Sequence, residues 1–87
     1  MTVHVEFYGI VRRRAGVAGI DVEAQTLGEV YSQLVARLPH LGEACIEKGR
    51  LKSGYLANIN GRSFQSRAET SLEAGDTVLI LSADVGG

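Results

Sequence analysis

The 87-residue sequence has no tryptophan and only one cysteine, one proline and one methionine. A lone cysteine, Cys45, excludes an internal disulfide framework and suits a reducing compartment. Charge of one sign is also missing: the formal net charge is -1. Such a balance gives no general electrostatic pull toward nucleic acid or anionic lipid, so neither is expected as a direct partner. The run Arg12, Arg13, Arg14 is too short for a binding stripe. No apolar run approaches the roughly 20 residues needed to cross a bilayer. The start, "MTVHVEFYG", shows neither a basic leader nor a cleavage-site pattern, so a cytoplasmic location is expected. What remains, at 45% hydrophobic residues, is enough for a modest core in one domain.

Periodicity supplies the element order. "TVHVEFYGI" alternates as a strand, with Val3, Val5 and Phe7 on one side and His4, Glu6 and Tyr8 on the other. "RRRAG" breaks that pattern and reads as an exposed basic turn around Gly16. "GIDVEA" follows as a weaker strand in which Ile20 and Val22 share a face, so the two strands form a hairpin. In "TLGEVYSQLVARLPHLG", Leu27, Val30, Tyr31, Leu34, Val35 and Leu38 make a broad apolar stripe at helical spacing. Thr26 and Glu29 have the spacing of a capping box, and Pro39 stops the helix near Leu38. Residues 41–54 carry no clear period: "LGEACIEKG" has room for a helical turn and "RLKSG" looks exposed. "YLANIN" is a short strand, the Asn60-Gly61 pair predicts a hairpin turn, and "RSF" returns as another strand. "TSLEAGD" is a turn that leads into the final strand, "TVLILS".

The resulting order is β-β-α-β-β-β, an α+β domain with one long helix over one face of a small mixed sheet. The first and last strands are the most apolar and belong at the sheet centre. Parallel pairing there needs the long crossover that the helix and central region supply. That arrangement is the ubiquitin-like β-grasp. It assigns residues 1–81 to the domain and 82–87 to a flexible tail.

Val78 and Ile80 point one way along the last strand, Leu79 and Leu81 the other. Only one pair can face the helix. The other, with Tyr8 or Ile10, is a candidate docking surface, since contiguous exposed apolar area often marks an interaction site. Six short residues follow, "SADVGG", and extended they reach about 20 Å. The paired Gly86 and Gly87 lack side chains and fit a narrow channel. A terminal carboxylate becomes electrophilic once a nucleoside triphosphate converts it to an acyl-adenylate, which a sulfur nucleophile can attack. This chain has no machinery for that step.

Several stretches together are similar to the ubiquitin-like sulfur-carrier family, which includes the small subunit of molybdopterin synthase (MoaD) and the thiamine-pathway carrier (ThiS). "VEFYGIVRRRAG" resembles its first strand and arginine-containing hairpin, and "TLGEVYSQLVARLPHL" its long helix. "LANING" resembles the strand and turn after it, and "LEAGDTVLILSADVGG" the Gly-Asp turn, last strand and terminal Gly-Gly. The resemblance implies a carrier that is not an enzyme and binds no cofactor of its own. An E1-like adenylating enzyme would use ATP and magnesium to activate Gly87. A sulfur donor, such as a cysteine desulfurase or rhodanese-like protein, would then supply the sulfur of a thiocarboxylate. An acceptor synthase subunit would take that sulfur onward. In that reading Gly86 gives clearance, Val85 helps set the tail's register, and Leu79 and Leu81 dock. "LSADVGG" departs from the prolines and Val-Ala-like pair of molybdopterin-type tails, and Asp84 adds a charge, which leaves the acceptor pathway open. A noncatalytic β-grasp adaptor and a modifier conjugated through Gly87 are the alternatives.

Other conspicuous residues read as structural. Cys45 has no nearby histidine or Cys-x-x-Cys pattern, and His4 and His40 lack a ligand set. "GVAG" is not a phosphate-binding loop. Glu6, Glu29, Glu43, Glu47 and Asp76 form no evident carboxylate pair, and Asp76 serves as a turn residue.

Overall fold

A computed structural model describes residues 1–83. Five strands form one sheet: β1 (Thr2–Phe7), β2 (Gly19–Glu23), β5 (Tyr55–Ile59), β6 (Ser63–Phe64) and β7 (Thr77–Ser82), in the order β2-β1-β7-β5-β6. β1 and β7 pair in parallel at its centre, and every other neighbour is antiparallel. Helix α2 (Leu27–Arg37) lies among the elements that close one face. This is the mixed β-grasp sheet that the apolar first and last strands predict.

The core follows from two periods meeting. Val3, Val5 and Phe7 of β1, Val22 of β2, Ala57 of β5 and Val78 and Ile80 of β7 line the inner face. Leu27, Val30, Tyr31 and Leu34 of α2 cover them, all fully buried. Burying each such aliphatic side chain is worth roughly 1.5–3 kcal/mol. The helix starts where the sequence places it. Thr26 Oγ1 accepts from Glu29 N at 3.2 Å, while Glu29 Oε1 accepts from Gln25 N at 2.6 Å. The reciprocal bond thus lands one residue upstream of the usual capping-box partner.

Three segments differ from expectation. The "RRRAG" segment is not a simple turn: α1 (Ile10–Ala15) is helical, and the break falls at Gly16, where φ is +77°. Only Val11 of α1 is buried, so three arginines face outward and conceal the period. Pro39 ends α2 and also starts α3 (Pro39–Cys45), because its missing N–H is no loss in a first turn. Gly42 of α3 sits so close to α2 that a Cβ there would lie 2.7 Å from Val35 Cα. Val35 itself is 48% exposed and is not part of the buried stripe. Residues 46–51 form a small hairpin, β3 (Ile46–Glu47) with β4 (Arg50–Leu51), in which Leu51 packs on the core edge.

The Asn60-Gly61 turn has left-handed φ at both positions, +57° and +70°. Asn60 Nδ2 donates to Asp76 Oδ1 at 2.9 Å, and Thr77 N donates to Asn60 Oδ1 at 2.8 Å. Asp76 Oδ2 also accepts from Glu73 N at 2.8 Å. These bonds tie the hairpin to the start of β7 and hold the Asp76 carboxyl below the usual carboxylate range.

Candidate functional site

The alternation of β7 divides its apolar residues between two faces. Val78 and Ile80 are fully buried, whereas Leu79 and Leu81 are half-buried on the side away from α2. Strand register extends that outer face in rows. Glu6 of β1 pairs with Leu79, Leu79 with Asn58, and Asn58 with Phe64 of β6. In the next row Leu81 pairs with Leu56, and Tyr8 N donates to Ile80 O at 3.2 Å, which brings Tyr8 alongside. Tyr8 and Phe64 are 60% and 61% exposed, too much apolar surface to be an accident of a well-covered strand.

Leu79, Leu81 and Tyr8 are therefore gathered on one surface. Sequence reasoning missed Leu56, Phe64 and Asn58 as members of it. The signal was present: once "TVLILS" has an outer face, alternation through "YLANIN" and the Asn60-Gly61 hairpin assigns alternate residues of both strands to that face. Asn58 is the unusual member. It is 8% exposed, and its Oδ1 is buried with no hydrogen-bond partner. An acceptor left so costs roughly 1–3 kcal/mol.

Toward β2 the outer face turns acidic. His4 Nδ1 lies 2.7 Å from Asp21 Oδ1, and its Nε2 lies 3.5 Å from Glu6 Oε1. Glu23 accepts from the Thr2 hydroxyl at 2.6 Å and from the Met1 amine at 3.0 Å. The Thr2 bond, followed by the amine, lowers the Glu23 carboxyl from its ordinary range. Among the described residues no group of His, Cys, Asp and Glu is arranged to hold a metal.

The other residues singled out above have structural placements. Cys45 is fully buried, and desolvation raises its thiol's pKa, which disfavours a reactive thiolate. Tyr31 is buried under the sheet with its hydroxyl donating to Ser66 O at 3.1 Å, and burial raises the phenol to about 12. The helical side carries an open groove of about 530 Å³, lined by residues that include Tyr31, Val35, Gly42 and Ile46. Among the described residues no helix is long and apolar enough to cross a membrane.

β7 runs to Ser82, and Ala83 N donates to Gly54 O at 2.8 Å, which anchors the base of the tail. Asp84, Val85, Gly86 and Gly87 lie outside the described residues.

Known proteins place this geometry. A family model described as the ThiS family matches residues 5–87. The fold is similar to the solution structure of small archaeal modifier protein 1 from Methanosarcina acetivorans, with a TM-score of 0.81 and 24% identity over 99% of this chain and 96% of that one. It is similar to Mycobacterium tuberculosis CysO, with a TM-score of 0.76 and 25% identity over 94% and 99% of the two chains. It is also similar to a chain in the complex of subunits 1 and 2 of molybdopterin-converting factor from Helicobacter pylori 26695. That match has a TM-score of 0.71 and 22% identity over the whole of both chains. No curated protein matches the sequence.

Proposed function

We propose, for a chain that belongs to the ThiS family of ubiquitin-like β-grasp sulfur carriers, that the Gly87 carboxylate is the group that carries the sulfur. Carrier and modifier proteins of this family are noncatalytic, and this chain is not an enzyme. The observation that carries the reading is the family match through residue 87, which takes in the Gly-Gly three residues beyond an apolar strand with one partly buried side.

The chemistry divides between this chain and its partners. An E1-like enzyme with ATP and magnesium forms a Gly87 acyl-adenylate and releases pyrophosphate. The terminal sulfur of a donor persulfide attacks the acyl carbon, and AMP leaves. A thiol then breaks the resulting S–S bond, which leaves a thiocarboxylate on Gly87 and a disulfide on the donor. An acceptor synthase subunit takes the sulfur, and the terminus returns as a carboxylate. Charge stabilisation at the phosphoryl and acyl centres belongs to the enzyme.

This chain contributes the tail and the surface that delivers it. Gly86 and Gly87 admit the terminus to a narrow channel, and Val85 and Asp84 set its register and charge. Leu79, Leu81 and Tyr8 provide the docking surface. The complexed H. pylori relative supports an acceptor subunit as one of the proteins that meet this chain.

Intact-mass analysis after incubation with the activating enzyme, ATP and a sulfur donor tests the reading. A gain of about 16 Da, sulfur replacing oxygen, is expected on wild type and none on a chain extended by one residue beyond Gly87. An extended chain that still gains the mass without trimming overturns it. A Gly-Gly remnant on lysines of other proteins would instead establish a protein modifier.

A further inference from the structure

Asn58 and Asn60 stand two positions apart and are used differently. Asn60 is satisfied at both ends, by Asp76 and Thr77 N. Asn58 sits among Leu56, Leu79 and Phe64 with its Oδ1 buried and without a partner. The fold has no use for an amide there, since a leucine or valine would suit the same apolar surroundings without an unmet acceptor. Its χ2 is a soft terminal torsion, so rotation brings Oδ1 to the surface.

Charge on the same row indicates what meets it. Glu6 lies two strands away across Leu79, roughly 10 Å at the usual strand spacing. Glu6, Asp21 and Glu23 line that flank, and their side chains are 51%, 68% and 69% exposed. His4 contacts Glu6 and Asp21, the Met1 amine contacts Glu23, and the Arg37 guanidinium donates to the Asp21 carbonyl at 2.6 Å, so of the three carboxylates Glu6, the one nearest Asn58, has only His4 beside it among the described residues. A nucleic acid or an anionic membrane would be repelled here, and a cationic protein surface attracted.

We propose that Asn58 is a specificity-determining residue of the docking face. Its Oδ1 accepts an N–H from a lysine or arginine of the adenylating enzyme, whose cation lies across Leu79 toward Glu6. The proposal rests on the carrier reading above. It makes the outer face selective as well as adhesive: an apolar surface without that donor would bury the amide for good and bind poorly.

Steady-state adenylation, with the carrier as varied substrate of its cognate activating enzyme and melting of each variant in parallel, tests this. Asn58→Leu should melt no lower than wild type and raise the KM for the carrier by about tenfold, with kcat unchanged. Glu6→Gln should raise KM by a few-fold and flatten its dependence on salt. An Asn58→Leu variant that keeps the wild-type KM, or that melts well below wild type, overturns the role of Asn58 and leaves the carrier reading intact. Wild-type protein that is never adenylated overturns the carrier reading, and this inference with it.

Discussion

Val78 and Ile80 on one side of β7 are fully buried in the core closed by α2, whereas Leu79 and Leu81 on the other are only partly buried, Leu79 opposite an unsatisfied amide and Leu81 opposite Leu56. The four residues are alike in chemistry and adjacent in sequence. What separates them is what covers them. Inner apolar area holds the fold together, and outer apolar area is available to a partner. Composition alone therefore does not divide stability from recognition in a strand like this one; register does.

The widest separation between the faces should come from charge. Val78→Asp places a carboxylate in the core with no partner and should leave the chain without cooperative unfolding, as read by circular dichroism. Leu81→Asp should keep the wild-type spectrum and lose turnover by the activating enzyme. A folded Val78→Asp would erase the distinction. Truncation sharpens the same contrast at lower amplitude. Ile80→Ala should lose about 2–5 kcal/mol in urea denaturation, and Leu79→Ala less than about 1 kcal/mol.

Tyr31 probes the inner side more gently. Removing its hydroxyl in Tyr31→Phe leaves the Ser66 carbonyl unpaired and should cost about 1 kcal/mol. Burial raises its folded pKa from 10.0 to about 12, so its proton is held more tightly in the fold. That contribution is complete below pH 10 and is lost as the pH rises toward about 12, a limb that Tyr31→Phe should remove from the stability profile. The smallest effect lies at the exposed turn before β7. There the bonds from Glu73 N and Asn60 lower the Asp76 carboxyl, so its stabilisation is present above the ordinary carboxylate pKa and lost as pH falls through the depressed folded value. Asp76→Asn should flatten that acid limb in melting curves taken against pH.

The same two faces explain what the sequence made legible. β1, β7 and α2 each carry several apolar residues at one strict period, and all three stand where periodicity puts them. α1 buries Val11 fully and packs Ala15 on the core in part, and two such residues are too few to show a period. The stretch from 39 to 51 hides its order because Pro39 serves two helices and the β3-β4 hairpin is only two residues deep on each side. Val35 sits on the helical stripe by spacing, but α3 approaches its backbone and one methyl and leaves the rest of the side chain exposed. On the outer face, alternation along β7 places Leu79 and Leu81 as the structure has them. Leu56 and Asn58 join that face through pairing with β7 about 20 residues away, and Phe64 follows only through the local hairpin once Asn58 is placed.

The parallel pairing of β1 with β7 also sets an order of events for a growing chain. β1 leaves the ribosome first, but His4 finds its neighbour at Thr77, about 70 residues later. The centre of the sheet therefore closes last, on the strand that leads straight into the Gly-Gly end. A polypeptide interrupted before that strand leaves β1 and β5 without the neighbour that joins them, each with an unpaired edge. Until β7 arrives the inner faces of the other strands lack Val78 and Ile80, so an incomplete chain exposes apolar surface and open strand edges, the features that make partly folded products prone to aggregation.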